Sequence, residues 1–460
     1  MPFTHPYIPN SVPAVRDAML EAVGAASTEA FFADIPAALR MPRPLDLPQP
    51  LLSEARLKRH VDGLLQRNRH CGATLSFLGG GCYQHHVPAV CDEINGRSEF
   101  ATAYAGEPYD DHGRFQALFE YCSMMGELLE MDVVNVPVYD GLQAAATAVR
   151  MAARHTGRRR VVVAGHVNPD KLAMMRTYGR ADLDIVVAPV HAATGTLDPD
   201  LIAGLLDRET AALYVDIPSF FGTIDDGAAL AEAAHAAGAL LVVGVDPLSL
   251  GVLAPPASYG ADIVCGDIQP LGMHMNYGGG QGGFIASHDD PAIVMQYPSR
   301  LFGVVPTTVP GEYGFGDVAY SRTSFDKREN GKEFVGTAAA LWGITAGVYL
   351  ALLGPQGMTE LATGIAQRTA YARQRLARVP GLRIAHTSAH FREFVVGFDG
   401  AGRTVAQVNA ALLEQGIFGG HDLSAAFPAL GQSALYAFSE LHAQADIDLL
   451  GATLEKVLAR

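Results

Sequence analysis

Residues 240–270 read LLVVGVDPLSLGVLAPPASYGADIVCGDIQP. Two short apolar runs, LLVVGV and ADIVCG, are separated by a proline- and glycine-punctuated segment; the first ends on Asp246 and the second leads into Gln269-Pro270. A continuous apolar run of this length, bounded by turn residues, is the pattern of a strand covered on both faces. Working outward, VVNVPV, RRVVVAG, LDIVVAP and AALYVDI repeat it, with the Ala-rich helical stretches LQAAATAVRMAARH and GAALAEAAHAAG between them. Alternation of this kind predicts an α/β fold, a mostly parallel sheet with helices on both faces. Open sheets bind ligands beyond the carboxyl ends of their strands, and Tyr139, Asp140, Gly141, His166, Asp216 and Asp246 fall there.

Upstream, residues 1–65 read as an arm: Pro9-Asn10 opens a turn, VRDAMLEAVG is a short helix, and RMPRPLDLPQPLLSE is an extended connector suited to wrapping a partner. The large domain is expected over 66–330, where Phe115, Leu118, Phe119, Cys122 and Met125 stripe one helix, and YGGGQGGF (277–284) turns into a strand. Residues 331–460, with a long apolar helix containing Trp342 and the strands FREFVVGF and SALYAFSE, form a small α+β domain.

Composition narrows the function classes. The 460 residues are 49% hydrophobic and 18% charged, and no apolar run reaches the roughly 18 residues of a membrane span, so no membrane crossing is expected. The N-terminus lacks the cationic start and apolar core of a signal peptide, which predicts a cytoplasmic protein. A net charge of −15, with Arg158–Arg160 the one dense basic cluster, argues against a nucleic-acid surface. The five cysteines form no CxxC pair, and His85-His86 has no ligand at suitable spacing, so neither disulfides nor a metal site follow.

The strand ends then carry the chemistry. Asp140-Gly141 opens a helix whose free N–H groups and dipole suit a phosphate, or it is simply an N-cap and turn. Asp246 is placed to pair with a protonated pyridine nitrogen, or to satisfy a loop amide; His166 is placed to stack on a ring, or is a polar loop residue. In pyridoxal-phosphate enzymes of this build a lysine follows the next strand, and here Gln269-Pro270 stands in its place. The five lysines are Lys58, Lys171, Lys327, Lys332 and Lys456; none follows ADIVCG. A cofactor scaffold without its covalent anchor points to a subunit that supports a catalytic partner.

Longer runs carry a resemblance. PYIPN, FFADIPAALR, PLDLPQPL, SFLGGGCYQHHVPAV, RSEFATAY, GRFQALFEYCSMMGELLEMDVVNVPVYDG, VDPLSLGVLAPPASYGADIVCGDIQPLG, FREFVV, GGHDL and ELHAQADID follow one another in order over almost the whole chain. In these the sequence resembles the α subunits of two-subunit glycine decarboxylases of the glycine cleavage system. The resemblance implies a fold-type-I pyridoxal-phosphate transferase architecture, the cofactor on a sister β subunit (subunit 2), and decarboxylation of glycine with transfer of the aminomethyl group to a lipoyl carrier protein, the H-protein. It makes Tyr139, Asp140, Gly141, His166 and Asp246 vestigial cofactor contacts. Two segments depart from the family pattern: TAYAGEPYDDHG (102–113) stands for TPYQPEISQG, and RENGKEFVGT (328–337) for REKATSNICT. Loops at a subunit junction tune substrate choice, so Tyr104, Tyr109, Asp111, His112, Arg328 and Lys332 are the residues expected to line the partner's site. The same departures leave open a diverged paralogue serving a partner on another amino acid or amine, and a non-catalytic scaffold.

Overall fold

A computed structural model of the chain describes residues 4–41, 43–100 and 112–459. Contacts divide it into two units, Met1–Arg69 and His70–Arg460. In the first, α1 (Pro13–Ala22) starts on a proline, whose missing N–H is harmless at a helix start, and Ser53 caps α2 (Glu54–Leu65) by accepting the Arg56 N–H at 3.4 Å. Residues 44–52 have no regular structure, and none of the described residues of this unit is buried.

The second unit opens with β1 (Leu75–Ser76), α3 (Ala89–Asn95), α4 (His112–Leu129) and β2 (Val133–Val134). Then come α5 (Gly141–Thr156), β3 (Arg160–Ala164), α6 (Pro169–Gly179), β4 (Asp184–Ala188), α7 (Pro199–Leu205), β5 (Thr210–Asp216), α8 (Gly227–Ala236), β6 (Leu240–Val245), β7 (Ile263–Asp267) and β8 (Gly283–Ser287). The sheet order is β2-β8-β7-β6-β5-β3-β4; the five strands from β7 to β4 are parallel, and β8 runs against both neighbours. Every residue of β5 is buried, which is why TAALYVD shows no alternation in sequence. Helix α5 lies close on the sheet because its buried face is largely alanine, from Ala144 to Ala148 and at Ala152 and Ala153.

A short helix α9 (Pro291–Val294) and a hairpin of β9 (Phe302–Pro306) and β10 (Tyr313–Asp317) precede the long α10 (Ala340–Leu376). Helix α10 breaks at Gly354, where φ 59 and ψ −178 leave helical space just before Pro355, a residue with no N–H to offer the helix ladder. After it come β11 (Arg383–Ile384), β12 (Glu393–Gly397), α11 (Val405–Glu414), β13 (Ile417–Phe418), β14 (His421–Asp422), β15 (Ser433–Ala437) and α12 (Gln444–Leu458). Strands β11-β12-β15-β14 make an antiparallel sheet with its own core, including Phe394, Phe398, Tyr436, Phe438 and Leu450. β1 pairs in parallel with β13 as a separate two-stranded sheet, and just after it Phe77 O accepts the Ala437 N–H of β15 at 2.9 Å, which fastens the chain entering the large sheet to the small one. Among the described residues no helix is long and apolar enough to cross a membrane.

Candidate functional site

A cleft of about 310 Å³ opens at the carboxyl ends of β5, β6 and β7, closed by the turn 79–83 and the first residues of β12. β5 ends on Asp216, whose Oδ1 accepts hydrogen bonds from the Tyr214 hydroxyl and from Lys171 Nζ, both at 2.7 Å. Lys171 reaches it from the first turn of α6, which Asn168 caps. β6 ends on Asp246: Oδ1 accepts the Leu248 N–H at 3.0 Å, and Oδ2 lies 3.1 Å from Arg392 Nη1. The Arg392 guanidinium lies over the Tyr83 ring, 4.1 Å from its centroid.

Two carboxyls of the cleft have their polarity satisfied by donors, Glu393 buried and Asp267 half-buried. Glu393 accepts the Gly80 N–H at 2.7 Å and the Tyr83 hydroxyl at 2.8 Å; burial raises its pKa to about 7 against the opposing pull of these bonds and of Arg392. Asp267, at the end of β7, accepts the N–H groups of Gly141 and Gln269 at 2.8 Å, and burial raises it to about 7 as well. Gln269 is fully buried: its Oε1 accepts the Tyr83 N–H at 3.0 Å, and its Nε2 donates to Tyr83 O at 2.9 Å and Met273 O at 3.0 Å. Gln269 thus clamps the turn that roofs the cleft.

A pH experiment follows from Glu393. Its folded pKa lies above the ordinary carboxylate value, so its contribution is fully present below pH about 4.5 and is lost as pH rises through about 7. In Glu393→Gln the amide bonds Gly80 and Tyr83 without taking a charge, and the variant should gain on the order of 1–3 kcal/mol over wild type between pH 5 and 8 in urea unfolding. His386 and His390, pushed down by burial to about 4 and about 3, act the other way below pH 6.5, so the two proteins are compared at each pH. A difference that does not grow with pH would show that Glu393 does not carry this dependence.

The positions expected from sequence divide. Gly141, Asp246 and Pro270 line the cleft. Asp140 caps α5, accepting the Gln143 N–H at 2.7 Å, and Tyr139 is 57% exposed. His166 does not line the cleft: it is fully buried, bonded to Asp225 Oδ2 at 2.9 Å and edge-on to Phe221. Tyr104, Tyr109 and Asp111 lie outside the described residues, and His112 is described only as the first residue of α4. Arg328 is exposed at a kink with φ 44, and Lys332 is exposed, its carbonyl accepting from Arg150 Nη2 at 3.1 Å. The neighbouring Glu333 is anchored on α5 by Thr147, Arg154 and Arg150. The His85 ring is bonded to Met273 O at 2.8 Å, and among the described residues no group of three or more His, Cys, Asp or Glu is placed for a metal.

Sequence reasoning passed over Tyr83, Arg392 and Glu393, and it gave Lys171 no place in the cleft. One signal was present: in FREFVV two adjacent charged residues, Arg392 and Glu393, stand in an otherwise apolar strand pattern, and both are buried.

Residues 5–450 match the family described as Glycine cleavage system P-protein. The chain belongs to that family. The probable glycine dehydrogenase (decarboxylating) subunit 1 of Staphylothermus marinus is 37% identical over 465 residues, covering 99% of this chain and 98% of its own. The protein of the same name from Chlorobium phaeobacteroides is 39% identical over 448 residues, 96% of this chain and 98% of its own. A crystal structure of glycine decarboxylase (P-protein) of the glycine cleavage system, in inhibitor-bound form, aligns with TM-score 0.86 at 35% identity, over 99% of this chain and 100% of that one. A sphingosine-1-phosphate lyase of Burkholderia pseudomallei, 16% identical with TM-score 0.67 over 92% of this chain and 94% of its own, shares the fold.

In this P-protein-family chain the cleft does not fit pyridoxal phosphate. The α5 N-terminus, where a phosphate would sit, gives its Gly141 N–H to the Asp267 carboxylate. Asp246, expected from the sequence to face a pyridine nitrogen, faces the Arg392 cation, and no lysine directly follows β7 to supply the amine an imine needs. Lys171, the one lysine lining the cleft, is bonded to Asp216.

Proposed function

We propose that the chain is the α subunit of an aminomethyl-transferring glycine decarboxylase, working in the cytoplasm beside a β subunit that holds pyridoxal phosphate and passes the aminomethyl group to a lipoyl carrier protein. The observation that supports this reading is that β7 runs into Gln269-Pro270, where the sequence comparison with pyridoxal-phosphate enzymes expects a lysine, and that Gln269 is buried and makes three hydrogen bonds to backbone. The family match and the name subunit 1 of its relatives support a paired chain. The five cysteines, all free, suit a reducing compartment. The chain's own contribution is a rigid half, in which α5 anchors Glu333 of the segment 328–337 that would flank the partner's site.

Coexpression with the β subunit should give glycine-dependent exchange of carbon dioxide, lost when either chain is omitted. Borohydride reduction in the presence of pyridoxal phosphate should leave this chain without a stoichiometric pyridoxyl adduct and should tag the β chain. A one-to-one adduct on Lys171, with activity from this chain alone, would overturn the assignment.

A further inference from the structure

Arg392 is 1% exposed and lines the cleft, yet Nε, Nη1 and Nη2 all lack a hydrogen-bond partner. A guanidinium carries five N–H donors in a planar fork, and burying them unpaired is costly unless a ligand supplies the acceptors. The side chain is nevertheless held firmly. Its backbone is in the left-handed region at φ 62, its plane rests on Tyr83, and Asp246 Oδ2 stands 3.1 Å from Nη1 without completing a hydrogen bond. Backbone strain spent on aiming one cation into a cavity is a mark of a ligand site.

The surroundings select the ligand. The fork matches a carboxylate, which takes two parallel N–H bonds. Of the acidic side chains near Arg392, Asp246 and Glu393 line the same cleft, and across it Lys171 is already matched by Asp216. A phosphate dianion would meet these carboxylates with nothing to offset them, whereas a zwitterion adds no net charge and brings an ammonium that they attract. We infer that this cleft binds a free α-amino acid, its carboxylate on the Arg392 fork and its ammonium among the acidic side chains of the same wall. The inference goes beyond the proposed function and does not depend on which subunit holds pyridoxal phosphate.

The test is calorimetric titration of the full chain with glycine, L-alanine and L-serine, against acetate, methylamine and inorganic phosphate. One site per chain is expected for at least one amino acid, with acetate, methylamine and phosphate at least tenfold weaker. Arg392→Lys keeps a charge opposite Asp246 but lacks the fork, and should weaken the amino acid at least tenfold. Absence of amino-acid binding at millimolar concentration, phosphate binding as tight as any amino acid, or full affinity in Arg392→Lys would each overturn the inference. Should that variant not fold, a crystal of the wild-type chain soaked with the tightest ligand decides: a carboxylate on Arg392 supports the site, and density elsewhere sinks it. Failure here leaves the borohydride result untouched, and the titration is run on the chain without pyridoxal phosphate, so the two readings fail separately.

Discussion

Gln269→Lys is expected to destabilise the isolated chain by about 3 kcal/mol and to form no imine with pyridoxal phosphate. Gln269 serves Tyr83 in both directions, accepting its N–H and donating to its carbonyl, and it also donates to Met273 O. An ammonium can still donate to the two carbonyls but cannot accept, so the Tyr83 N–H is orphaned and a charge is placed at a fully buried position. Burial lowers the amine's pKa, which by itself would favour a nucleophile. The aldehyde, however, has no seat: Asp267 occupies the α5 N-terminus, and Asp246 faces Arg392. Urea unfolding and absorbance near the imine band check both halves, and an imine formed at one equivalent would show that only the lysine separates this cleft from a working one.

The sheet was legible because its strands are apolar on both faces. RRVVVAG, LDIVVAP, AALYVDI, LLVVGV and ADIVCG correspond to β3 to β7, and the glycine run 277–282 does turn into β8. VVNVPV was read too long. Only Val133 and Val134 ladder, because Asn135 bonds Ile285 with its side chain as well as its backbone and Pro137 has no N–H to give. Strand ends located the cleft, since Asp216 and Asp246 both line it. What fills the cleft was not legible, because it rests on pairs far apart in sequence. Lys171 meets Asp216 across 45 residues, His166 meets Asp225 across 59, and Tyr83 meets Glu393 across 310. Nothing in the local pattern around His166 announces Asp225, so its position after β3 suggested the cleft while its partner turns it into the core.

The same distance effect lets the chemistry of such a cleft change without altering the fold. The parallel strands fix where Asp216, Asp246 and Asp267 end up, but the donor each one meets comes from α6, from the residue before β12 or from the start of α5. Arg392 and Glu393 therefore set the cleft's chemistry from the small sheet, and whatever seats β12 also seats the site.

That seat is the turn 219–224. Gly222 accepts the Phe391 N–H at 2.9 Å, Ile224 donates to Ala389 O at 3.2 Å, and the Gly222 backbone, at φ 79, lies directly against Glu393. A Cβ at Gly222 would stand 1.9 Å from Glu393 O and 2.5 Å from its carbonyl carbon, contacts that no rotamer change relieves. Gly222→Ala is expected to cost about 4 kcal/mol or more, from roughly 1 kcal/mol of left-handed strain and the remainder from backbone overlap. Gly402→Ala separates the two terms: φ there is 63, but nothing lies within 4 Å of the added carbon, so only the strain should appear. If the junction yields rather than unfolds, β12 must move away from the turn, and Glu393 should lose Gly80 and Tyr83 together. The surviving fraction of Gly222→Ala should then fall short of wild type in amino-acid binding as well as in urea midpoint. Equal midpoints for Gly222→Ala and Gly402→Ala would mean that the small sheet is not held to the cleft by this contact.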